Sequence, residues 1–217
     1  AQSPATRCIF MTNSNQHIAH DRYPVMEHFY TLQGEGLHQG KPAYFIRLAG
    51  CDVGCVWCDV KDSWHAENHP SYLVTELVGF VQKAMPTGIV VITGGEPAMY
   101  ELTELTTQLQ AAGYRCHLET SGAHPITGCW DWICVSPKKF KAPIPESLKK
   151  ANELKVVVFH ASDFEWAEQH AANTHTNCQL FLQPEWDKKD KMTQGIIDYI
   201  QQHPNWRLSL QVHKYLN

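Results

Sequence analysis

Residues 88–93 read Gly-Ile-Val-Val-Ile-Thr and run straight into Gly94-Gly95-Glu96-Pro97. An unbroken apolar run of this length suits a strand buried on both faces of a parallel sheet. Parallel neighbours need a crossover between them, usually helical, and the flanking sequence supplies one on each side. Upstream, 72–84 places Leu73, Leu77, Phe80 and Val81 at helical spacing. Ala43–Leu48 is a shorter strand, bounded by Gly40 and Gly50. Downstream the alternation continues. Strands are expected at 114–119, 130–135, 154–159, 179–183 and 206–210, with helices at 101–111, 145–151, 164–172 and 191–202. Strands alternating with helices define an α/β chain built from βα units. At this point an open doubly wound sheet and a partial barrel both fit. No internal repeat is visible, and one domain is expected over 23–217. Residues 1–22 are polar and aperiodic, a leader in which Cys8 is a bystander.

The composition narrows the class. The chain has 217 residues, 43% hydrophobic and 18% charged, with a net charge of -4. That is an ordinary globular balance, with no basic excess for a nucleic-acid backbone or an anionic membrane. No apolar run nears the ~20 residues of a transmembrane helix. The eight cysteines stand out. Disulfide-dense chains are usually small and secreted, whereas the first residues here lack a signal-peptide core. A cytoplasmic setting is expected, where clustered cysteines more often bind metal.

Three of them form Cys51-Asp-Val-Gly-Cys55-Val-Trp-Cys58, just after a strand. Gly50 and Gly54 let the backbone curl so that three thiolates converge. Iron–sulfur cubanes take thiolate ligands, commonly four. Three local cysteines leave one iron open to a substrate or cofactor, as in an open catalytic zinc site. Zinc, with Asp59, His65 or a remote cysteine as fourth ligand, also fits the spacing, as does a disulfide with one free thiol. Cys116 and Cys134 lie in strand-like runs and are expected in the core, and Cys129 and Cys178 are scattered.

Polar clusters close the strands: Thr93 to Glu96, Glu119 to Gly122 with Ser121, Ser136-Pro137-Lys138, and Gln183 to Glu185. Binding sites of α/β sheets and barrels are built at strand C-termini. Arg47 sits in an otherwise apolar strand and calls for an anionic partner. The segment Glu27–Gly36 is expected to precede the first strand as a loop with a turn at 34–36. The tail 209–217 is expected to be extended, with Gln211 and His213 on one face.

The cysteine spacing, with an aromatic before the third cysteine, resembles the cluster motif of radical S-adenosylmethionine (SAM) enzymes. The resemblance implies a partial (β/α)6 TIM-like barrel, a 4Fe-4S cluster on Cys51, Cys55 and Cys58, and SAM on its open iron. An electron from the cluster would then cleave SAM to a 5′-deoxyadenosyl radical. TLQGEG, FIRLAGC, VVITGGEP, ETSG, SPK and QVHKYLN together resemble, more narrowly, the 7-carboxy-7-deazaguanine synthase family, over about residues 25–217. That family has a modified and shortened core and turns 6-carboxy-5,6,7,8-tetrahydropterin into 7-carboxy-7-deazaguanine, releasing ammonia. By motif position the resemblance assigns Trp57, Cys58, Asp59, Gly94, Gly95, Glu96, Glu119, Ser121, Ser136, Pro137 and Lys138 to SAM. It assigns Leu32, Gln33, Gly34, Glu35, Arg47, Thr93, Gln183 and His213 to the substrate. It also implies a flavodoxin or ferredoxin electron donor, a homodimer and Mg2+ dependence. The family's usual Thr or Ser ligand to Mg2+ is here Val60, so Asp59, Asp62 or a backbone carbonyl would have to replace it. An activase that installs a glycyl radical on a partner protein shares the cysteine motif, but has no use for TLQGEG, Arg47 or HKYLN. A zinc-stabilised binding module has none for GGEP or SPK.

Overall fold

A computed structural model describes residues 21–215. The expected leader lies outside them except for Asp21 and Arg22, as do Cys8, Leu216 and Asn217. Among the described residues the strands form one nine-stranded sheet in the order β3-β1-β2-β4-β5-β6-β7-β8-β9. The strands are β1 (Arg22–Leu32), β2 (Pro42–Leu48), β3 (Ser71–Leu73), β4 (Ile89–Gly94), β5 (Arg115–Thr120), β6 (Trp132–Val135), β7 (Glu153–Val158), β8 (Gln179–Pro184) and β9 (Trp206–Leu208). From β2 to β9 every pairing is parallel. The helices are α1 (Val74–Ala84), α2 (Thr103–Ala111), α3 (Pro145–Lys150), α4 (Asp163–Ala171) and α5 (Lys189–Gln202). This is the expected partial barrel with one reduction. Between β5 and β6 the loop 121–131 takes the place of a helix.

β1 departs from the expected loop. It is an eleven-residue strand, antiparallel to β2, with Glu27 opposite Arg47 and Phe29 opposite Phe45. Its mixed, half-exposed side chains give no clean alternation, which is why it does not read as a strand in isolation. Its first residues also pair with β3, and Arg22 Nη1 donates to Ser71 O at 2.7 Å.

The pleat divides the sheet into two chemistries. The even-numbered residues Tyr44, Ile46, Leu48, Val90, Ile92, Cys116, Leu118, Leu154, Val156, Val158 and Leu182 join the main apolar core. That core extends to Leu77 and Val81 of α1, Leu105 and Leu109 of α2, Leu148 of α3, Ala167 of α4 and Met192 and Ile196 of α5. The odd-numbered residues Arg47, Thr93, Glu119, Lys155 and Gln183 line a cavity on the other side. Cys116, Cys134 and Cys178 are buried free thiols, the first two in strands as expected. No helix among the described residues is long and apolar enough to cross a membrane.

The last βα unit is closed by one carboxylate. Glu168 Oε1 of α4 accepts from Tyr199 Oη of α5 and from Trp206 Nε1 of β9, both at 2.7 Å. Burial, with Glu168 second, pushes the Tyr199 phenol up to about 12. Trp206 is 1% exposed, so its N–H has no water to turn to. Glu168→Ala orphans both donors and should lower stability by about 2–6 kcal/mol at roughly 1–3 kcal/mol per group. Urea denaturation measures this, and a loss below about 0.5 kcal/mol would show that the two donors find other acceptors.

Candidate functional site

At the C-terminal ends of the parallel strands a cavity of about 690 Å³ collects residues from most of the chain. Of the residues assigned from the sequence, Leu32, Gln33, Gly34, Glu35, Arg47, Cys51, Cys55, Trp57, Cys58, Asp59, Thr93, Gly94, Gly95, Glu96, Glu119, Ser121, Ser136, Lys138, Gln183 and His213 all line it. Pro137 does not. It is buried between Ser136 and Lys138, which do line the cavity.

The cysteine loop forms one wall. Gly50 and Gly54 take φ of 99° and 71°, a left-handed backbone that only glycine adopts without strain. Gly50 N donates to Ser63 O at 2.7 Å, and Cys58 N to Cys55 O at 3.1 Å. Cys51, Cys55 and Cys58 are free, so the disulfide alternative falls away. Among the described residues no three His, Cys, Asp or Glu side chains gather as ligands of a single metal ion. His65, one candidate fourth zinc ligand, is exposed beside Glu67 at 3.4 Å. Three thiols opening on one cavity are the ligand type, one short of the usual number, that an iron–sulfur cluster with an open iron takes. Burial pushes the Cys55 thiol up to about 11, so ionising it calls for a bound cation.

Glycine and glutamate join this wall to the sheet. A Cβ on Gly95 would lie 2.1 Å from Gly50 O, and Glu96 N donates to the same carbonyl at 2.8 Å. The buried Glu96 carboxylate accepts from Ala98 N at 3.0 Å, Thr120 Oγ1 at 2.5 Å, Ser121 N at 2.8 Å and the Ser121 hydroxyl. Glu96, assigned to SAM from the sequence, therefore works as a clamp between the ends of β4 and β5. Ser121 spends its hydroxyl proton on that clamp. Lys138 Nζ donates to Ser136 O and Oγ, both at 2.6 Å, and stands 5.8 Å from the Trp57 ring centroid.

The opposite wall is polar. Gln33 Nε2 donates to Glu119 Oε1 at 2.9 Å, while Gln33 Oε1 accepts from Glu35 N at 3.1 Å. Glu35 is ion-paired with Lys155. Burial opposes its ionisation, but Lys155, with help from His213 and Gln211, holds the Glu35 carboxyl below its usual range. Gln183 accepts from Ser209 Oγ at 2.8 Å, and that hydroxyl accepts from Gly36 N at 3.0 Å. Arg47 does have the anionic partner its setting demands. Its Nε donates to Glu27 at 2.7 Å, and Nη1 to Gly94 O at 3.3 Å.

The tail closes the cavity, though not as an extended segment. Val212–Tyr215 is a 3-10 turn, begun by a bond from Val212 N to Gly34 O at 3.0 Å. A Cβ on Gly34 would meet His213 Nδ1 at 2.2 Å. Lys214 Nζ donates to Asp59 at 2.9 Å and sits 4.8 Å from the Trp186 ring. Asp52 pairs with His124 at 2.9 Å and Lys141 at 2.5 Å, tying the cysteine loop to two further loops. Sequence reasoning missed Lys155, Glu153, Thr120 and these tethers. Only Lys155 and Glu153 left a signal, two charges at alternate positions of an apolar strand.

A model of the radical SAM superfamily matches residues 45–158. A 7-carboxy-7-deazaguanine synthase of Flavobacterium psychrophilum is 53% identical, covering 89% of this chain and 91% of its own. One from Synechocystis is 50% identical, covering 89% and 92%. One from Escherichia coli is 36% identical, covering 90% and 99%. The crystal structure of QueE from Escherichia coli superimposes with a TM-score of 0.80 at 34% identity, covering 89% of this chain and 96% of that one.

The close contact at Gly95 makes it a test of the wall. In Gly95→Ala the added carbon meets backbone, so the cysteine loop must shift. The variant should fold, by circular dichroism, yet load roughly twofold less iron or worse on anaerobic reconstitution. Undiminished iron would show that the contact does not control the loop.

Proposed function

The chain belongs to the 7-carboxy-7-deazaguanine synthase family of the radical SAM superfamily, and from that premise we propose that it converts 6-carboxy-5,6,7,8-tetrahydropterin to 7-carboxy-7-deazaguanine with loss of ammonia, in queuosine or other deazapurine biosynthesis. One observation carries the reading: a single cavity sets the three free thiols against a wall of Gln33, Glu35, Arg47, Gln183 and His213.

Cys51, Cys55 and Cys58 would hold a 4Fe-4S cluster. The family's second cofactor, SAM, would lie along Trp57, Asp59, Gly94, Gly95, Ser121, Ser136 and Lys138. Together, when bound, they supply a 5′-deoxyadenosyl radical able to take hydrogen from the substrate. The chain's own residues do the binding and orienting. Arg47 has five N–H donors and uses two on Glu27 and Gly94, which leaves donors for a substrate carboxylate. Glu35 offers an acceptor and Gln33 an amide to the amino and ring N–H groups of a pterin, and Glu119, which the resemblance gives to SAM, is bound to Gln33 and adds a second acceptor on this wall. His213 and the 3-10 turn that carries it narrow the mouth and exclude water, which strengthens each of these contacts. Thr93 and Gln183 are buried and line the same cavity.

The expected Mg2+ site fares less well. Val60 lines the cavity without an oxygen on its side chain, and its carbonyl accepts from both Ser63 N at 3.0 Å and Ser63 Oγ at 2.6 Å. Asp59 is paired with Lys214, and Asp62 is exposed and does not line the cavity. The residues present do not fit a protein-held Mg2+, and we infer that turnover does without it. Electron delivery by a flavodoxin or ferredoxin, a homodimeric state and a cytoplasmic setting complete the proposal. An oxygen-sensitive cluster that needs low-potential electrons supports the first and the last.

Anaerobic reconstitution should give a brown protein with about four irons per chain, and that protein with SAM and a reductant should release the deazaguanine from the carboxypterin. Stoichiometric zinc without iron, or an intact cluster that cleaves SAM but leaves the carboxypterin unchanged, would overturn the assignment. Added EDTA should alter the rate by no more than about twofold. A larger loss that Mg2+ restores would show that water and substrate oxygens suffice to hold the ion.

A further inference from the structure

β7 sends Glu153, Lys155 and Val157 to the cavity side of the sheet. Lys155 is 4% exposed, and its Nζ is paired with the Glu35 carboxylate. Glu119 from β5, Cys134 from β6 and Glu153 from β7 also face it. Glu119 is tied back to the Glu35 loop through Gln33, whose amide bridges the two. Of these carboxylates Glu35 alone is ion-paired with the buried cation, and Glu119 is held beside it through Gln33.

We propose that Lys155 is the positioning residue of the substrate site: its ammonium holds the Glu35 carboxylate as a fixed acceptor, with Glu119 beside it, for the donor edge of the pterin ring. The inference rests on reading this cavity as the carboxypterin site.

The surrounding charges single out Lys155. Around Glu35, His213 and Gln211 of the tail assist it, while Glu119 and Glu153 add negative charge to the same wall. Behind that wall His38 and His117 are held neutral by burial, His38 down to about 4 and His117 to about 3. Burial also lowers Lys138 across the cavity. Burial raises Glu153, which accepts from Leu37 N at 3.1 Å and Trp132 Nε1 at 3.3 Å. Lys155 itself stays charged: burial works against it, but Glu119 and Glu35 above all carry it well above its ordinary value. A buried ion pair adds little net stability compared with an apolar replacement. What it does secure is a preorganised acceptor that need not reorganise when the ligand arrives.

The test compares wild type, Lys155→Met, Lys155→Arg, Glu35→Gln and the double variant Glu35→Gln/Lys155→Met as reconstituted enzymes, by KM and kcat for the carboxypterin from about pH 6 to 9. Without Lys155, burial raises Glu35, which is then protonated and a poorer acceptor at low pH. Lys155→Met should raise KM about tenfold or more near neutral pH, with kcat within about threefold, and the defect should shrink as pH rises and Glu35 ionises again. Lys155→Arg should restore most of the affinity. The double variant should match Glu35→Gln alone at every pH, because Lys155 acts through Glu35. A KM defect independent of pH, or additive losses in the double variant, would overturn the proposal. If Lys155→Met does not fold, the comparison of the double variant with Glu35→Gln and the arginine rescue still decide it. Wild-type turnover separates this outcome from failure of the functional reading: no product from wild type defeats the latter.

Discussion

A pleated strand must send successive side chains to opposite faces, and the site depends on that constraint. In the parallel part of the sheet one parity faces the helices and builds the apolar core. The other parity packs a second, small apolar cluster of Ala43, Phe45, Ile89 and Val91 and turns polar toward the strand ends. Arg47, Thr93, Glu119, Lys155 and Gln183, on five different strands, all belong to it. Shifting any strand by one residue would exchange core for cavity along its whole length. The long parallel registers from β2 to β4 and from β7 to β8 resist such a slip. Fold and binding surface are therefore set by the same pattern.

Loops at the strand ends then have to meet one another closely, and glycine is the means at three contacts. Gly95 meets Gly50, Gly34 meets His213 and Gly36 meets Glu153, each closer than a Cβ would allow. Around these contacts single groups serve several segments. Glu96 gathers donors from two strand ends, and Ser209 links the Gly36 loop to Gln183. These shared contacts leave the buried Glu96 and Gln183 oxygens partnered, as the low dielectric of the interior favours.

Much of this was legible in the chain and some was not, for physical reasons. The βα alternation reads directly because helices and buried strands differ in period. The cysteine loop and the polar strand ends read because their residue types are rare in such places. β1 escaped because a strand half in solvent, covered by β3 only over its first residues, carries no clean period, and Glu27, the partner of Arg47, escaped with it. The tail escaped because its turn is fixed by Gly34 and Asp59, which lie far away in sequence. The structural part of Glu96 was not legible: three of its four hydrogen bonds come from Thr120 and Ser121, far away in sequence.

Lys155 was hidden by the very feature that made β7 easy to find. In Glu153-Leu-Lys-Val-Val-Val158 the aliphatic residues announce a buried strand, and a lysine among them reads as noise. Yet a strand that forms one wall of a polar cavity and one layer of an apolar core should look like this: charge at one parity, aliphatic residues at the other. A lysine at such a position cannot reach solvent by extending its stem, because the cavity side is enclosed by the tail and the Gly34–Gly36 loop. Its charge must then be met inside, and the carboxylates that meet it are those that face the ligand. In a sheet of this kind, a charged residue within an apolar strand marks the binding face, and its parity says which neighbours share that face.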